Sequence, residues 1–156
     1  MSLVNQLELR IPPLALTAVS AVAIAMVTVC APLIHIPFPG HKYASAVLVV
    51  FGFLLAAVGV AQFRQSRTTL NPMSPDRASA VVTSGIYRVS RNPMYLGMAL
   101  VLLGVAAWGS ALAGYLVVVG FCWYLTRFQI FPEERALRAA FGEEFAQYMG
   151  RVRRWV

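Results

Sequence analysis

Charge is what this chain has least of. Only 12% of its 156 residues are Asp, Glu, Lys or Arg, and just six of those are acidic. A soluble domain carries about twice that share, so a water-soluble globular protein is excluded. Cysteine is nearly absent: Cys30 and Cys122 lie inside apolar runs without a basic neighbour to lower their pKa, and they read as packing residues. The two histidines, His35 and His41, share a Pro/Gly-rich loop with no carboxylate nearby. They read as solvated loop residues, and no metal site is expected. No Gly-x-Gly-x-x-Gly loop follows a strand, which excludes a dinucleotide site of the βαβ kind. Neither a Ser/His/Asp arrangement, nor a phosphoryl-transfer motif, nor an internal repeat, nor a low-complexity tract is visible.

What is present is mostly hydrocarbon, at 59% of residues. Four apolar runs stand out: Leu14 to Ile34, Tyr43 to Phe63, Met94 to Ala107 and Ala111 to Phe128. A bilayer core takes about 20 helical apolar residues. The third run is short, but Asn92-Pro93 and Trp108 can extend it. The expected architecture is therefore all-α, a single domain over residues 1–156. It is an integral-membrane bundle of four transmembrane helices, the last two a tight hairpin through Trp108-Gly109-Ser110, with a C-terminal cytoplasmic amphipathic helix. The first run is longer than the apolar stretch of a signal peptide and reads as a retained helix.

Apart from Arg10, the arginines sit in two places, the loop from Arg64 to Arg91 and the tail from Arg127 to Arg154, while the Trp108–Ser110 turn has no charge. The positive-inside bias puts both termini and the middle loop in the cytoplasm. With no long extracellular loop and no targeting address, a bacterial inner membrane is the expected location. The net charge of +7 suits membrane lipids. No nucleic-acid partner is expected, because the arginines flank spans instead of lining a soluble face.

Two polar clusters interrupt the hydrocarbon. One is Gly85-Ile-Tyr-Arg-Val-Ser-Arg-Asn-Pro-Met-Tyr-Leu-Gly97, and the other is Pro132-Glu133-Glu134-Arg135. Ionisable groups at a membrane edge are costly, and the two clusters are expected to form one site. Asn92 is placed as an N-cap and Pro93 at the first helical position. The free backbone N–H groups of Met94 and Tyr95 then face a carboxylate or phosphate. Arg88 and Arg91 can pair with the same kind of group. Glu133 and Glu134 can accept from an ammonium or a hydroxyl, and Tyr87, Tyr95 and Tyr148 offer aromatic faces to a base or a sulfonium. Pro132 is expected to open a new helix with both glutamates in its first turn, and Phe141-Gly142 to bend it. Leu137, Phe141, Phe145, Tyr148 and Met149 form its apolar stripe.

Taken in order, the first cluster, a helical hairpin, Glu133-Glu134-Arg-x-Leu-x-x-x-Phe141-Gly-Glu-Glu-Phe-x-x-Tyr148 and a basic end resemble the isoprenylcysteine carboxyl methyltransferase family. The pattern is also similar to the related phospholipid N-methyltransferases. The match runs from about Thr69 to Val156, and the first two helices correspond only as hydrophobic segments. The resemblance implies S-adenosylmethionine bound between the last helices and the C-terminal segment, and methyl transfer to a lipophilic acceptor such as an isoprenylcysteine carboxylate, or a phospholipid amine. It assigns Tyr87, Arg91, Asn92, Pro93, Met94, Tyr95, Glu133, Glu134 and Tyr148 to the cofactor, and Glu133, Glu134 and Arg154 to catalysis. Arg151 and Arg153 lie near enough to Arg154 to compete for the closing position. Two departures stand out: the family's Arg-His-Pro reads Arg91-Asn92-Pro93 here, losing an imidazole, and Phe145 stands where a tyrosine is common. The reading of another class is a non-catalytic small transporter or complex subunit. A transporter should carry polar groups near the middle of its spans, and these spans have almost none.

Overall fold

A computed structural model describes residues 7–30, 34–35, 37–65 and 80–156. The breakers Asn71-Pro72 and Ser74-Pro75, with Arg67 and Arg77, lie outside the described residues. The helices are α1 (Pro13–Cys30), α2 (His41–Gln65), α3 (Pro93–Gly109), α4 (Leu112–Tyr124) and α5 (Phe131–Arg151), with a 3₁₀ turn at Gly85–Arg88. No strand occurs among the described residues, where His35 and Ala111 form an isolated antiparallel bridge. α1, α2 and the continuous helical run Leu112–Arg151 are long and apolar enough to cross a bilayer, whereas α3 is apolar but only 17 residues long. At 1.5 Å per residue α3 rises about 25 Å, short of the hydrocarbon core but within the range of tilted or flanked spans.

α3 is the hub, packed against α2 on one side and against α1 and α4 on the other. Its contact with α2 is backbone to backbone. A Cβ built on Gly52 would lie 2.6 Å from the Gly97 carbonyl oxygen, and one on Gly97 would lie 2.5 Å from that of Gly52. Gly104 repeats the approach against Ser45. Small residues allow such contact in lipid, where association depends on close packing. The apolar faces of α1 and α2 that meet no other helix, including Leu14, Val22, Val29, Phe51, Phe53 and Leu54, are exposed. A bilayer would cover them.

The hairpin between α3 and α4 turns as expected. Ser110 closes it in the left-handed region (φ 52°), a conformation that disfavours a side chain. Its amide donates to the Ala106 carbonyl, and its hydroxyl donates to the Ala107 carbonyl at 3.1 Å.

Pro132 behaves differently from expectation. It does not open a new helix, because the chain continues from α4 through a π-helical segment, Leu125–Ile130, straight into α5. The Phe131 amide reaches back to the Thr126 carbonyl, the wider π spacing. Pro132 has no N–H to give the Phe128 carbonyl, and the Leu9 amide supplies one at 3.0 Å. The N-terminal segment thus completes a helix at the other end of the sequence. Glu8 fixes it there by pairing with Arg127 at 2.7 Å and with Arg135. Arg127 is thus anchored by a carboxylate at the end of the apolar run.

α5 bends at Gly142 (φ 53°, ψ −120°), as the Phe141-Gly142 pair suggested. Beyond the bend Phe145, Tyr148 and Val152 form a small core, with Val81, Leu137, Phe141 and Met149 packed on it. The cysteine reading needs correction for Cys30, which is exposed at the end of α1, while Cys122 is half-buried.

Candidate functional site

All the charged side-chain networks gather at one end of the bundle. The end of α2, the 3₁₀ turn, the start of α3, the π segment and α5 converge there, together with the chain end.

Arg91 is the centre. Its Nη2 donates to Glu134 Oε1 at 2.7 Å, and its Nη1 donates to the carbonyls of Met149 (3.0 Å) and Val152 (2.6 Å). Its Nε is buried and has no partner among the described residues. Arg154 closes on Glu134 from the other side, Nη2 to Oε2 at 2.7 Å and Nε to Oε1 at 3.0 Å. Its guanidinium also lies over the Phe131 ring, 4.5 Å from the centroid. Burial pushes the Glu134 carboxyl up, but hydrogen bonds from Arg154 and Arg91 outweigh it, and the pKa falls below the ordinary carboxylate value.

Glu133, one residue earlier, pairs with no cation among the described residues. Tyr95 Oη and Gln129 Nε2 both donate to its Oε1 at 2.6 Å. Burial dominates, the two donors offset part of it, the neighbouring Glu134 charge adds to it, and the pKa is raised to about 7. Two adjacent carboxylates thus have opposite character at neutral pH. Environments that drive paired carboxyl groups apart are typical of reactive sites.

Tyr148 Oη donates to the Tyr87 carbonyl at 2.7 Å, and Tyr87 Oη donates to the Gly59 carbonyl at 3.3 Å. Burial raises both phenols, Tyr148 to about 12 and Tyr87 further, so both stay neutral at physiological pH. Gly85 lies at φ +56°, and a Cβ there would also run into Gln62, whose Oε1 accepts from the Ile86 amide at 2.9 Å.

Between these groups lies a cavity of about 60 Å³. Tyr87, Arg91, Asn92, Glu133, Glu134 and Tyr148 line it, with Phe63, Val81, Val82, Leu137 and Phe145 as the apolar wall. The two clusters, 40 residues apart in sequence, therefore meet around one space. Pro93, Met94, Tyr95 and Arg154 stand behind that wall. Pro93 and Met94 pack on Gly59, Tyr95 holds Glu133, and Arg154 holds Glu134.

Asn92 is not the side-chain cap expected of it. Its Nδ2 donates to the Arg154 carbonyl at 3.0 Å, and its own amide is bonded by Ser90 Oγ at 3.1 Å. The Arg91 amide donates to the Arg153 carbonyl at 3.0 Å as well. The Arg91-Asn92 dipeptide is thus a staple that draws the chain end over the site. Glu134, for its part, takes Arg91 and Arg154 as partners, not Arg138 on its own helix.

Sequence reasoning missed Gln129, Phe63 and Ser90. Gln129 carried a signal, an amide at the end of an apolar run and four residues before Glu133. Phe63 and Ser90 carried none.

Comparison with known proteins points to a family. A family model described as phospholipid methyltransferase matches residues 41–144. An uncharacterized protein of Haemophilus influenzae is 42% identical over 64 residues, which is 40% of this chain and all of that protein. A probable protein-S-isoprenylcysteine O-methyltransferase is found in rice, Oryza sativa subsp. indica. It is 29% identical over 114 residues, or 71% of this chain, and the chain spans 58% of its length. The japonica protein matches equally. No solved structure matches. The family match takes in α2, the hairpin and the glutamate pair, well over half of the chain. The chain belongs to the phospholipid methyltransferase family, a family of membrane methyltransferases.

Proposed function

We propose that this protein is an S-adenosylmethionine-dependent methyltransferase of a bacterial inner membrane, with its site and both termini on the cytoplasmic face, acting on a lipophilic acceptor. One observation carries the reading: Arg91, Glu133 and Glu134, from two separate clusters, border a single cavity with an aromatic and aliphatic wall. That donor set fits the cofactor. Two carboxylates and a phenol suit an ammonium and a sulfonium, the unpartnered Arg91 Nε suits a carboxylate, and Phe63, Tyr87 and Phe145 suit a base.

S-adenosylmethionine, when bound, supplies an electrophilic methyl group. The chain's own residues supply position and charge. Arg91 and Arg154 keep Glu134 ionised and fixed, and Glu134 in turn holds both guanidinium planes. Glu133, with a pKa near 7, can hold or release a proton at its carboxyl group under working conditions. An amine acceptor must lose a proton before it can attack, and Glu133 is the base for that step. An isoprenylcysteine carboxylate needs no base, so this role of Glu133 belongs to an amine acceptor such as that of a phospholipid. Ordinary ligand pockets hold about 300–1,000 Å³, so entry requires the walls to separate.

Calorimetric titration of the full chain in detergent with S-adenosylhomocysteine tests this. Saturable micromolar binding, lost in Glu134→Ala, is expected. Absence of binding by demonstrably folded protein would overturn the proposal.

A further inference from the structure

A second cavity, about 400 Å³, opens beside the first. Thr83, Arg88, Arg151, Val152 and Tyr148 line it, and Tyr148 is also part of the first cavity's wall. One tyrosine thus separates a small, closed, carboxylate-lined space from a larger one lined by guanidinium groups.

The arginines of the two spaces differ in how they are satisfied. Arg91 and Arg154 pair with Glu134, and Arg127 and Arg135 pair with Glu8. Arg88 and Arg151 form no ion pair among the described residues; Arg151 only donates from Nε to the Gln147 carbonyl at 3.3 Å. Both are exposed, and so is the Thr83 hydroxyl beside them. Glu8 and Glu134 are taken by other arginines, and Glu143 and Glu144 form no ion pair among the described residues. Two forked donors and a hydroxyl in a concave site match a tetrahedral oxyanion.

We propose that Arg88, Arg151 and Thr83 form an oxyanion subsite that holds a phosphate group carried by the lipid acceptor at the mouth of the methyl-transfer cleft. The inference rests on the methyltransferase reading for the role of that phosphate, though not for its binding. An acceptor seated there would have its anionic group fixed outside Tyr148 and its reacting atom directed towards Glu133. Specificity would then come from the spacing between phosphate and reacting atom, and the apolar tails would stay in the bilayer.

The test uses the full chain in detergent and three probes: dihexanoyl phosphatidic acid, dihexanoylglycerol and inorganic phosphate. Calorimetry is run on wild type, Arg88→Gln, Arg151→Gln, the double variant and Arg138→Gln, an exposed arginine on α5 that does not line this cavity. Phosphatidic acid affinity should fall about tenfold for each subsite arginine and stay unchanged in Arg138→Gln. Dihexanoylglycerol should not bind, and inorganic phosphate should compete weakly. Unchanged affinity in the double variant, or an equal loss in Arg138→Gln, would overturn the subsite. Inorganic phosphate binding as tightly as the lipid would overturn its assignment to the acceptor and leave a free-phosphate site. S-adenosylhomocysteine titration on the same samples keeps the two ideas apart. Binding of phosphatidic acid without binding of S-adenosylhomocysteine would sink the methyltransferase reading and leave the oxyanion site standing.

Discussion

The two ends of the α3–α4 hairpin are closed by different forces. At the Trp108–Ser110 end the work is done by neutral backbone. The Leu112 amide bonds to the Ile34 carbonyl, Ser110 turns the chain, and α2 meets α3 through glycine and serine. At the other end the same helices are joined by buried charge, with Arg91, Arg154 and Glu134 linking three segments. Neutral contacts suffice to hold helices together in a membrane, so the charged end is more than structure requires. Buried ion pairs roughly break even in stability against apolar packing, and their presence points to chemistry.

The largest way to break the comparison is Arg91→Ala. It removes both links to Glu134 and to the Met149 and Val152 carbonyls, and it leaves a largely buried carboxylate with one cation fewer. Losing one partner of a buried pair costs about 3–5 kcal/mol. Thermal unfolding in detergent should drop sharply, and methyl transfer should fall at least about 100-fold. The matching change towards the neutral end is Gly104→Val. The added side chain would strike the Ser45 carbonyl and the Val49 amide, which are backbone and cannot yield cheaply. Overpacking of this kind costs about 1–3 kcal/mol. Cofactor affinity measured below the unfolding temperature should survive in Gly104→Val and be lost in Arg91→Ala. If both variants lost it equally, the two ends would be one cooperative unit and the contrast would fail.

The difference between the ends also explains what could be read from the sequence. The hairpin, the spans and the Gly142 bend are local events, encoded by runs of apolar residues and by residues with special backbone freedom. The meeting of Arg91 with Glu134 is not local, and it was legible only because both clusters broke a hydrocarbon background that tolerates few charges. The path of the chain at Pro132 was illegible. Its missing donor is made good by Leu9, and no pattern in residues 125–132 reveals that the N-terminal segment will be there. Asn92 failed for a related reason, since its amide is claimed by the chain end some sixty residues later.

Within the charged end, the two glutamates sharpen the contrast through pH. Glu134 has a lowered pKa, so its contribution to stability is present above the unfolded carboxylate value and fades as pH falls through its folded value. Glu133 is raised from 4.5 to about 7, so its contribution is complete below 4.5 and is lost as pH rises through 7. Glu134→Gln should therefore flatten the acid side of a plot of unfolding temperature against pH. Glu133→Gln should flatten the neutral side and raise the unfolding temperature above pH 7. For an amine acceptor, Glu133→Gln should also abolish the rise in rate near pH 7 while S-adenosylhomocysteine affinity persists. A rate profile unmoved by Glu133→Gln would remove it as the base.

The smallest effect belongs at the neutral end, at Ser110. A side chain in the left-handed region costs about 1–2 kcal/mol, and Ser110 recovers part of that through its hydroxyl bond to the Ala107 carbonyl. Ser110→Gly removes the strain and the bond together, so its unfolding temperature should stay within about 0.5 kcal/mol equivalent of wild type. Ser110→Ala keeps the strain and discards the bond, and should cost about 1 kcal/mol. Neither should alter cofactor affinity, because the turn lies at the opposite end of α3 from Arg91. A Ser110→Ala loss exceeding that of Gly104→Val would show that hydrogen bonding, more than close backbone packing, holds the neutral end.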